Sequence, residues 1–147
     1  DILVLGLGGG SIAELLQEYW PDSRKVGVDI APEMVDLGRK YLKLNEVKDL
    51  EVVIADVSEW IVKNVQKFDL ILVDLYKGGS IPQEFREEAF LNTVQKTLKP
   101  DSIAAFNHLY SSLEKKDAEE FRRRLRNVFP VMTVVTPEAN MVVICHQ

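Results

Sequence analysis

Short apolar runs alternate with helical patterns along most of the chain. Four runs have the length of strands: 2–5, 25–29, 50–54 and 68–73. The last of them is a near-continuous apolar segment, which is typical of a strand covered on both faces. Between them, apolar residues recur at the three- and four-residue spacing of a helix with one buried side. This alternation predicts an α/β protein with a mostly parallel sheet.

The same spacing places the helices. It predicts helices over 12–20, from Pro32 to about 42, over 58–65, over 82–98 and up to about 127. The expected buried positions of the first two are Ile12, Leu15, Leu16 and Tyr19, then Met34, Leu37, Tyr41 and Leu42. Ser11 with Glu14, and Ser111 with Glu114, have the spacing of capping boxes, and Ser58 is expected to cap the third helix.

The C-terminal third changes pattern. A turn at 99–101 precedes a fifth strand, Ser102 to Asn107. Two further runs, 131–135 and 141–144, are separated by a short connection that contains Pro137. Two strands joined in this way predict an antiparallel hairpin at the end of the chain.

A glycine loop joins the first strand to the first helix. Residues 6–10 hold four glycines in five positions, which permits positive φ and close approach of a ligand to the backbone. The free N–H groups at the start of the following helix attract a carboxylate or a phosphate. A purely steric role for the glycines stays open at this point.

Polar side chains follow the strands that this pattern predicts. Asp29, Asp56 and Asp74 end the second, third and fourth strands, and Asn107 with His108 ends the fifth. In open α/β sheets, ligands bind beyond the carboxyl ends of the strands, so we expect these residues to face one crevice.

The three aspartates among these residues have expected roles. Asp29 lies where an acidic side chain accepts the hydroxyls of an adenosine ribose. Asp56 is expected to accept the adenine amino group while the Val57 N–H meets a ring nitrogen. Asp74 is the best catalytic or substrate-orienting candidate, because ionisation at the end of a buried strand requires a partner. For each, a turn or capping aspartate is the alternative.

Three further residues have weaker support as functional groups. Tyr76 is a candidate for the catalytic region, as a wall of the pocket or as a packing residue, and Lys77 either steers an anionic group or is a solvated loop lysine. His108 is either a base or a core residue. Cys145 is expected in the core, and the arginines at 122–126 on a solvated helix face. The two histidines and single cysteine give little support to a metal site, and none is predicted.

Bulk composition narrows the function classes. The formal net charge of −5 argues against non-specific binding to nucleic acid or to an anionic membrane, and no apolar stretch has the length of a membrane span. We expect one domain over 1–147, preceded by an N-terminal segment, because the chain starts directly at a core strand. A cytoplasmic protein with a small-molecule acceptor is expected, and a homodimer is left open.

Five motifs carry a family resemblance. They are VLGLGGGS at 4–11, VGVDI at 26–30, IADVSEW at 54–60, FDLILVDLY at 68–76 and FREEAFLNTVQKTLKPDS at 85–102. In this order and spacing, the chain resembles the class I S-adenosylmethionine-dependent methyltransferases, and within them the spermidine synthase-like branch. The resemblance covers essentially the whole chain.

The resemblance implies a Rossmann-like three-layer sandwich whose seven-stranded sheet has the order 3-2-1-4-5-7-6, with strand seven antiparallel. It implies S-adenosylmethionine as cofactor, with decarboxylated S-adenosylmethionine as the alternative. The implied cofactor-binding residues are Gly6, Gly8, Gly9, Gly10, Asp29, Ile30, Asp56, Val57 and Asp74, with Asp74 and Tyr76 as catalytic candidates. The glycine loop would contact the methionine end.

One departure from the family pattern bears on the reaction. The resemblance implies that aminopropyltransferases of this branch carry a second aspartate three residues after the one that ends the fourth strand. In this chain the fourth strand ends at Asp74, and Lys77 stands at the second position. A cation where a polyamine ammonium docks reverses the local electrostatics, which favours methyl transfer over aminopropyl transfer. A nicotinamide-dependent dehydrogenase and a non-catalytic fold relative also stay open as interpretations of the sequence.

Overall fold

The computed structural model describes residues 1–147 and shows one seven-stranded sheet in the order β3-β2-β1-β4-β5-β7-β6. The strands are β1 Ile2–Leu5, β2 Lys25–Asp29, β3 Leu50–Ile54, β4 Phe68–Val73, β5 Leu98–Leu109, β6 Met132–Val135 and β7 Asn140–His146. Strands β1 to β5 pair in parallel, and β7 is antiparallel to both β5 and β6. The implied strand order and the terminal hairpin are therefore confirmed.

Five helices cover the sheet. They are α1 Ser11–Tyr19, α2 Pro32–Tyr41, α3 Val57–Lys63, α4 Glu88–Thr97 and α5 Lys115–Val128, with short 3-10 turns at Leu44–Glu46 and Gln83–Arg86. Helices α3, α4 and α5 bury the larger core, and α1 and α2 bury a smaller one on the opposite face. The predicted three-layer arrangement is confirmed. No helix has both the length and the apolar character needed to cross a membrane.

The predicted helix over 82–98 is divided in the structure. A 3-10 turn, Gln83–Arg86, is followed by Glu87 in an extended conformation, and α4 begins only at Glu88. This break turns Phe85 back onto Phe90, whose ring lies edge-on with a centroid separation of 5.1 Å. A continuous helix would carry the two side chains on diverging faces.

Strand β5 is longer than predicted. Leu98 pairs with Phe68 and Ile103 pairs with Leu70, so three additional residues on β5 are accommodated as an irregularity in the ladder. Asp101 takes a left-handed φ of 59° within it. The predicted turn is thus a distortion inside the strand, and Asn107 and His108 are consecutive strand residues with side chains on opposite faces.

The buried face of α2 differs from the predicted one. Val35 and Gly38 are its buried residues, whereas the expected Met34, Leu37, Tyr41 and Leu42 are all exposed. The helix packs on the glycine loop through Gly38, and this close approach rotates the larger apolar side chains outward. On α1, likewise, Ala13 and Leu16 are buried while Leu15 and Tyr19 are exposed.

Helix starts also differ from the predictions. Gly10, with φ 93°, precedes α1 without a side-chain cap, so Ser11 is the first helical residue and not a cap. Asp56, not Ser58, caps α3 by accepting a hydrogen bond from the Ser58 N–H at 2.8 Å. The hydroxyl of Ser111 bonds the Glu114 carboxylate, and α5 begins at Lys115.

An apolar groove lies beside α1. Its cavity of about 280 Å³ is bounded by α1 and by residues of β4, β5 and β7. Leu15, Tyr19 and Trp20 form its rim and are each more than half exposed, while Ala105 and Val142 form part of its floor. This part of the sheet has no covering helix within the chain, in contrast to the opposite face.

Candidate functional site

The main cavity, of about 580 Å³, opens at the carboxyl ends of β1 to β4. It is lined by the glycine loop and by the residues that follow β2, β3 and β4. Every residue that the family resemblance implies for cofactor binding or catalysis lines this cavity, and so does Lys77. The sheet therefore brings together side chains that are up to about half of the chain apart, as parallel topology requires.

The second-strand aspartate holds the glycine loop. One Asp29 carboxylate oxygen accepts a hydrogen bond from the Gly8 N–H at 2.6 Å, and the other accepts from the Ala31 N–H at 2.8 Å. Each carboxylate oxygen has a second lone pair, so Asp29 retains acceptor capacity for a ligand hydroxyl. The carboxylate thus fixes the loop and remains able to bind a ribose.

The glycines of the loop differ in what surrounds them. A Cβ at Gly6 would lie 2.2 Å from the Asp74 carbonyl oxygen, and Cβ atoms at Gly9 and Gly10 would meet side chains of Leu42 and Leu44 at 2.7 and 2.4 Å. A Cβ at Gly8 would meet no atom within 4 Å. Packing against backbone therefore requires glycine at Gly6, whereas at Gly9 and Gly10 the nearest atoms are ends of leucine side chains that are able to shift, and Gly8 alone adjoins open space.

Asp56 has one carboxylate oxygen in use and one available. Oδ1 accepts from the Ser58 hydroxyl at 2.6 Å and from its N–H at 2.8 Å. The pKa of Asp56 is lowered, mainly by the hydrogen bond that the Ser58 hydroxyl donates to it. Its carboxylate is therefore ionised at neutral pH. Val57 follows as the first residue of α3, where a helical N–H has no partner within its own helix.

Asp74 is oriented by a residue of the neighbouring strand. The Asn107 side-chain amide donates to Asp74 Oδ1 at 2.9 Å. Asn107 does not line the main cavity itself, so its predicted place in the crevice is indirect. The sequence pattern indicates both residues but not this bond, which depends on the register of β4 and β5.

Tyr76 is fixed against β5. Its hydroxyl accepts a hydrogen bond from the Leu109 N–H at 2.7 Å and lies 3.4 Å from the Asn107 carbonyl oxygen. Burial raises the pKa of Tyr76 to about 12. The phenol therefore stays neutral near physiological pH, and its geometry suits a wall of the cavity.

His108 lies away from the cavity. It is only 3% exposed, its Nδ1 is 2.7 Å from the Leu109 carbonyl oxygen, and its Nε2 is 3.2 Å from Asp117. Of the two roles that the sequence leaves open for this histidine, the structure shows the core residue. Cys145 is also buried, and burial raises the pKa of its thiol to about 12.

Two lining residues have no signal in the sequence pattern. Glu84 and Phe85 come from the 3-10 turn after Pro82 and close the side of the cavity beyond β4. The pattern predicts a continuous helix there, which gives no reason to place them at the site. No group of three or more His, Cys, Asp or Glu side chains is arranged to hold a metal ion.

The strand order, the antiparallel β7 and the glycine loop with an acidic residue after β2 define a class I S-adenosylmethionine-dependent methyltransferase fold. Within that class, the chain belongs to the spermine/spermidine synthase domain family, whose sequence model matches residues 1–145.

The curated relatives of the chain are named either as aminopropyltransferases or as methyltransferases. A polyamine aminopropyltransferase of Chromobacterium violaceum is 34% identical over 139 residues, covering 94% of this chain and 52% of the relative. The human eEF1A lysine and N-terminal methyltransferase is 28% identical, covering 99% of this chain and 22% of the relative. The chain thus spans about half the length of the aminopropyltransferase that it matches.

Solved structures agree with the fold. Human methyltransferase-like protein 13, in complex with SAH, superposes with a TM-score of 0.85 at 27% identity, covering 98% of this chain and 70% of that chain. Spermidine synthase from Thermotoga maritima superposes with a TM-score of 0.83 at 20% identity, covering 99% of this chain and 53% of that chain. The second likeness is one of fold alone.

Proposed function

We propose that the chain binds S-adenosylmethionine in the main cavity and transfers its methyl group to a small-molecule acceptor. The observation that carries the proposal is the Asp29 carboxylate, held between the Gly8 and Ala31 N–H groups at the cavity wall. The bound SAH of methyltransferase-like protein 13, a structural neighbour at 27% identity, supports an adenosyl ligand for this chain.

The residues present suit such a ligand. The free lone pairs of Asp29 would accept the ribose hydroxyls, and Oδ2 of Asp56 would accept the adenine amino group. The N–H of Val57 would donate to an adenine ring nitrogen. The open space beside Gly8 would admit the methionine end of the cofactor without backbone rearrangement.

The chemical step needs alignment more than covalent help from the protein. A neutral amine or hydroxyl of the acceptor attacks the methyl carbon with its lone pair, and the carbon–sulfur bond breaks with its electrons remaining on sulfur. The products are the methylated acceptor and S-adenosylhomocysteine. Holding the two reactants in line supplies most of the acceleration, and Asp74 would orient the nucleophile and receive its proton.

Asn107 would act as a positioning residue in this step. Its amide occupies one oxygen of Asp74, which leaves the other oxygen for the acceptor. Without this bond the carboxylate would rotate freely about its side-chain bonds, and the alignment would be lost.

Lys77 favours methyl over aminopropyl transfer. It contributes the single cationic side chain among the cavity-lining residues and follows Asp74 by three positions. A polyamine acceptor carries ammonium groups that this cation would repel. Aminopropyl transfer is the second candidate, and the 34% identity to the Chromobacterium violaceum aminopropyltransferase favours it.

Two measurements test the proposal. Calorimetric titration with S-adenosylhomocysteine should show binding, and absence of binding at millimolar ligand to folded protein would refute it. A product assay should then detect methyl transfer from S-adenosylmethionine in an acceptor screen, and no spermidine from putrescine with decarboxylated S-adenosylmethionine. Spermidine formation that depends on Asp74 would replace methyl transfer by the second candidate. Binding without transfer to any acceptor would indicate a non-catalytic relative.

A further inference from the structure

The charges around the main cavity are strongly unequal. Four carboxylates line it, from Asp29, Asp56, Asp74 and Glu84, against one ammonium group, from Lys77. The first three carboxylates already accept hydrogen bonds within the protein, whereas the Lys77 ammonium takes part in none of the salt bridges. A ligand that carries an anionic group therefore finds one complementary charge at this site.

S-adenosylmethionine and its decarboxylated form differ in one anionic group. S-adenosylmethionine carries a sulfonium, an ammonium and a carboxylate, and its decarboxylated form lacks the carboxylate. An acidic cavity attracts the positive charges of both molecules and repels the carboxylate of the first. A protein cation at the methionine end therefore favours the carboxylated form.

We propose that Lys77 pairs with the carboxylate of the bound cofactor and thereby selects S-adenosylmethionine over its decarboxylated form. The inference rests on the proposed function, since it assumes that the adenosyl cofactor binds in this cavity. It assigns Lys77 to cofactor choice, in addition to its repulsion of cationic acceptors.

The glycine loop offers few alternative donors for that carboxylate. The N–H groups of Gly6 and Leu7 donate to the Val28 carbonyl, that of Gly10 donates to Leu7, and that of Gly8 donates to Asp29. Four of the five loop N–H groups are therefore engaged within the protein. The first turn of α1 adds N–H groups but no formal charge.

The backbone around Lys77 holds it at the cavity mouth. On one side Tyr76 is anchored to β5 through the Leu109 N–H. On the other side the chain makes a tight turn in which the Lys77 N–H donates to the Ser80 carbonyl at 3.0 Å, and Gly78 takes a φ of 63°. The side chain is exposed, so its ammonium is able to swing toward a ligand at little cost.

Calorimetry with two ligands and three proteins tests the inference. S-adenosylmethionine and decarboxylated S-adenosylmethionine are titrated into the full-length wild type, into Lys77→Met and into Lys48→Met. Lys48 is a matched control, because it is also exposed but precedes β3. It therefore lies at the amino ends of the strands, whereas the cavity opens at their carboxyl ends. Circular dichroism establishes that all three proteins are folded.

We expect Lys77→Met to weaken binding of S-adenosylmethionine about fivefold, as for loss of one solvent-exposed ion pair, and to leave the decarboxylated ligand within about twofold. Lys77→Glu should weaken the first ligand further and strengthen the second. Lys48→Met should change neither.

Two kinds of result overturn the inference, and they are distinguishable. If Lys77→Met binds both ligands as the wild type does, or loses both equally, Lys77 does not recognise the carboxylate, while the proposed function stands. If folded wild type binds neither ligand, the proposed function itself fails and the inference fails with it.

Discussion

Replacing Gly38 by alanine tests how α2 and the glycine loop share space. Gly38 lies on the buried face of α2, and an added Cβ would lie 2.2 Å from the Gly9 carbonyl oxygen and 2.8 Å from the Gly9 carbonyl carbon. Both are backbone atoms of the loop, so no side-chain rotation relieves the contact. The helix and the loop would have to separate.

Two effects of opposite sign compete in this variant. Alanine is favoured over glycine inside a helix by about 1 kcal/mol. Overpacking against a fixed backbone costs about 1–3 kcal/mol, and at 2.2 Å the contact belongs at the upper end of that range. We therefore expect Gly38→Ala to lower the free energy of unfolding by roughly 2 kcal/mol.

Urea denaturation followed by circular dichroism measures this difference. The midpoint should fall with an unchanged slope, because the native state loses packing without a change in the surface exposed on unfolding. Gly79→Ala is the matched control, since its Cβ would meet no atom within 4 Å and its φ is not positive. A Gly38→Ala protein as stable as the wild type, or more stable, would refute the packing argument.

Three further substitutions have definite expected outcomes. Asp29→Asn should weaken S-adenosylhomocysteine binding by about tenfold in calorimetry, because a charged acceptor of the Gly8 N–H and of the ligand is lost. Tyr76→Phe should lower stability by about 1–2 kcal/mol, since the Leu109 N–H loses its acceptor. It should leave the pH–rate profile between about pH 6 and 9 unchanged, because a phenol with a pKa of about 12 does not titrate there. Burial raises the pKa of Cys145 from 9.0 to about 12, so its contribution to stability is present below pH 9 and is lost as the pH rises toward 12. Urea midpoints should therefore fall less steeply above pH 9 in Cys145→Ala than in the wild type, and equal slopes would contradict this.

Strand positions are well predicted because their pattern is local. The bounds of β2, β3 and β4 in the structure are those of the predicted runs, 25–29, 50–54 and 68–73. Each run is short, apolar and closed by a polar or turn residue, so neighbouring residues determine where it ends. The aspartates after these strands are brought to one cavity by topology alone.

Helix faces are predicted less well because they depend on contacts distant in sequence. The buried side of α2 is determined by the approach of Gly38 to Gly9, 29 positions earlier, and a glycine has no weight in a hydrophobic pattern. The large apolar residues of α2 suggest a neighbouring face of the helix. For the same reason the loop glycines point to a ligand, although Gly6 is required by packing against the backbone of Asp74.

The parts of the site that the sequence does not predict have a similar cause. Glu84 and Phe85 reach the cavity because the chain breaks at Glu87, which no residue pattern indicates. The bond from Asn107 to Asp74 depends on the irregular register between β4 and β5. Both features arise from how elements meet, and neither is encoded in the elements separately.

The apolar groove beside α1 has a spectroscopic consequence. Leu15, Tyr19 and Trp20 remain largely exposed on its rim in the native state. Environment-sensitive dyes such as ANS adsorb to apolar surface, and their fluorescence is usually taken as a mark of partly folded protein. In this protein the folded state should itself enhance ANS emission, and Trp20 should emit as a solvent-exposed indole. Dye fluorescence therefore gives a false impression of unfolding here, and melting is better followed by circular dichroism.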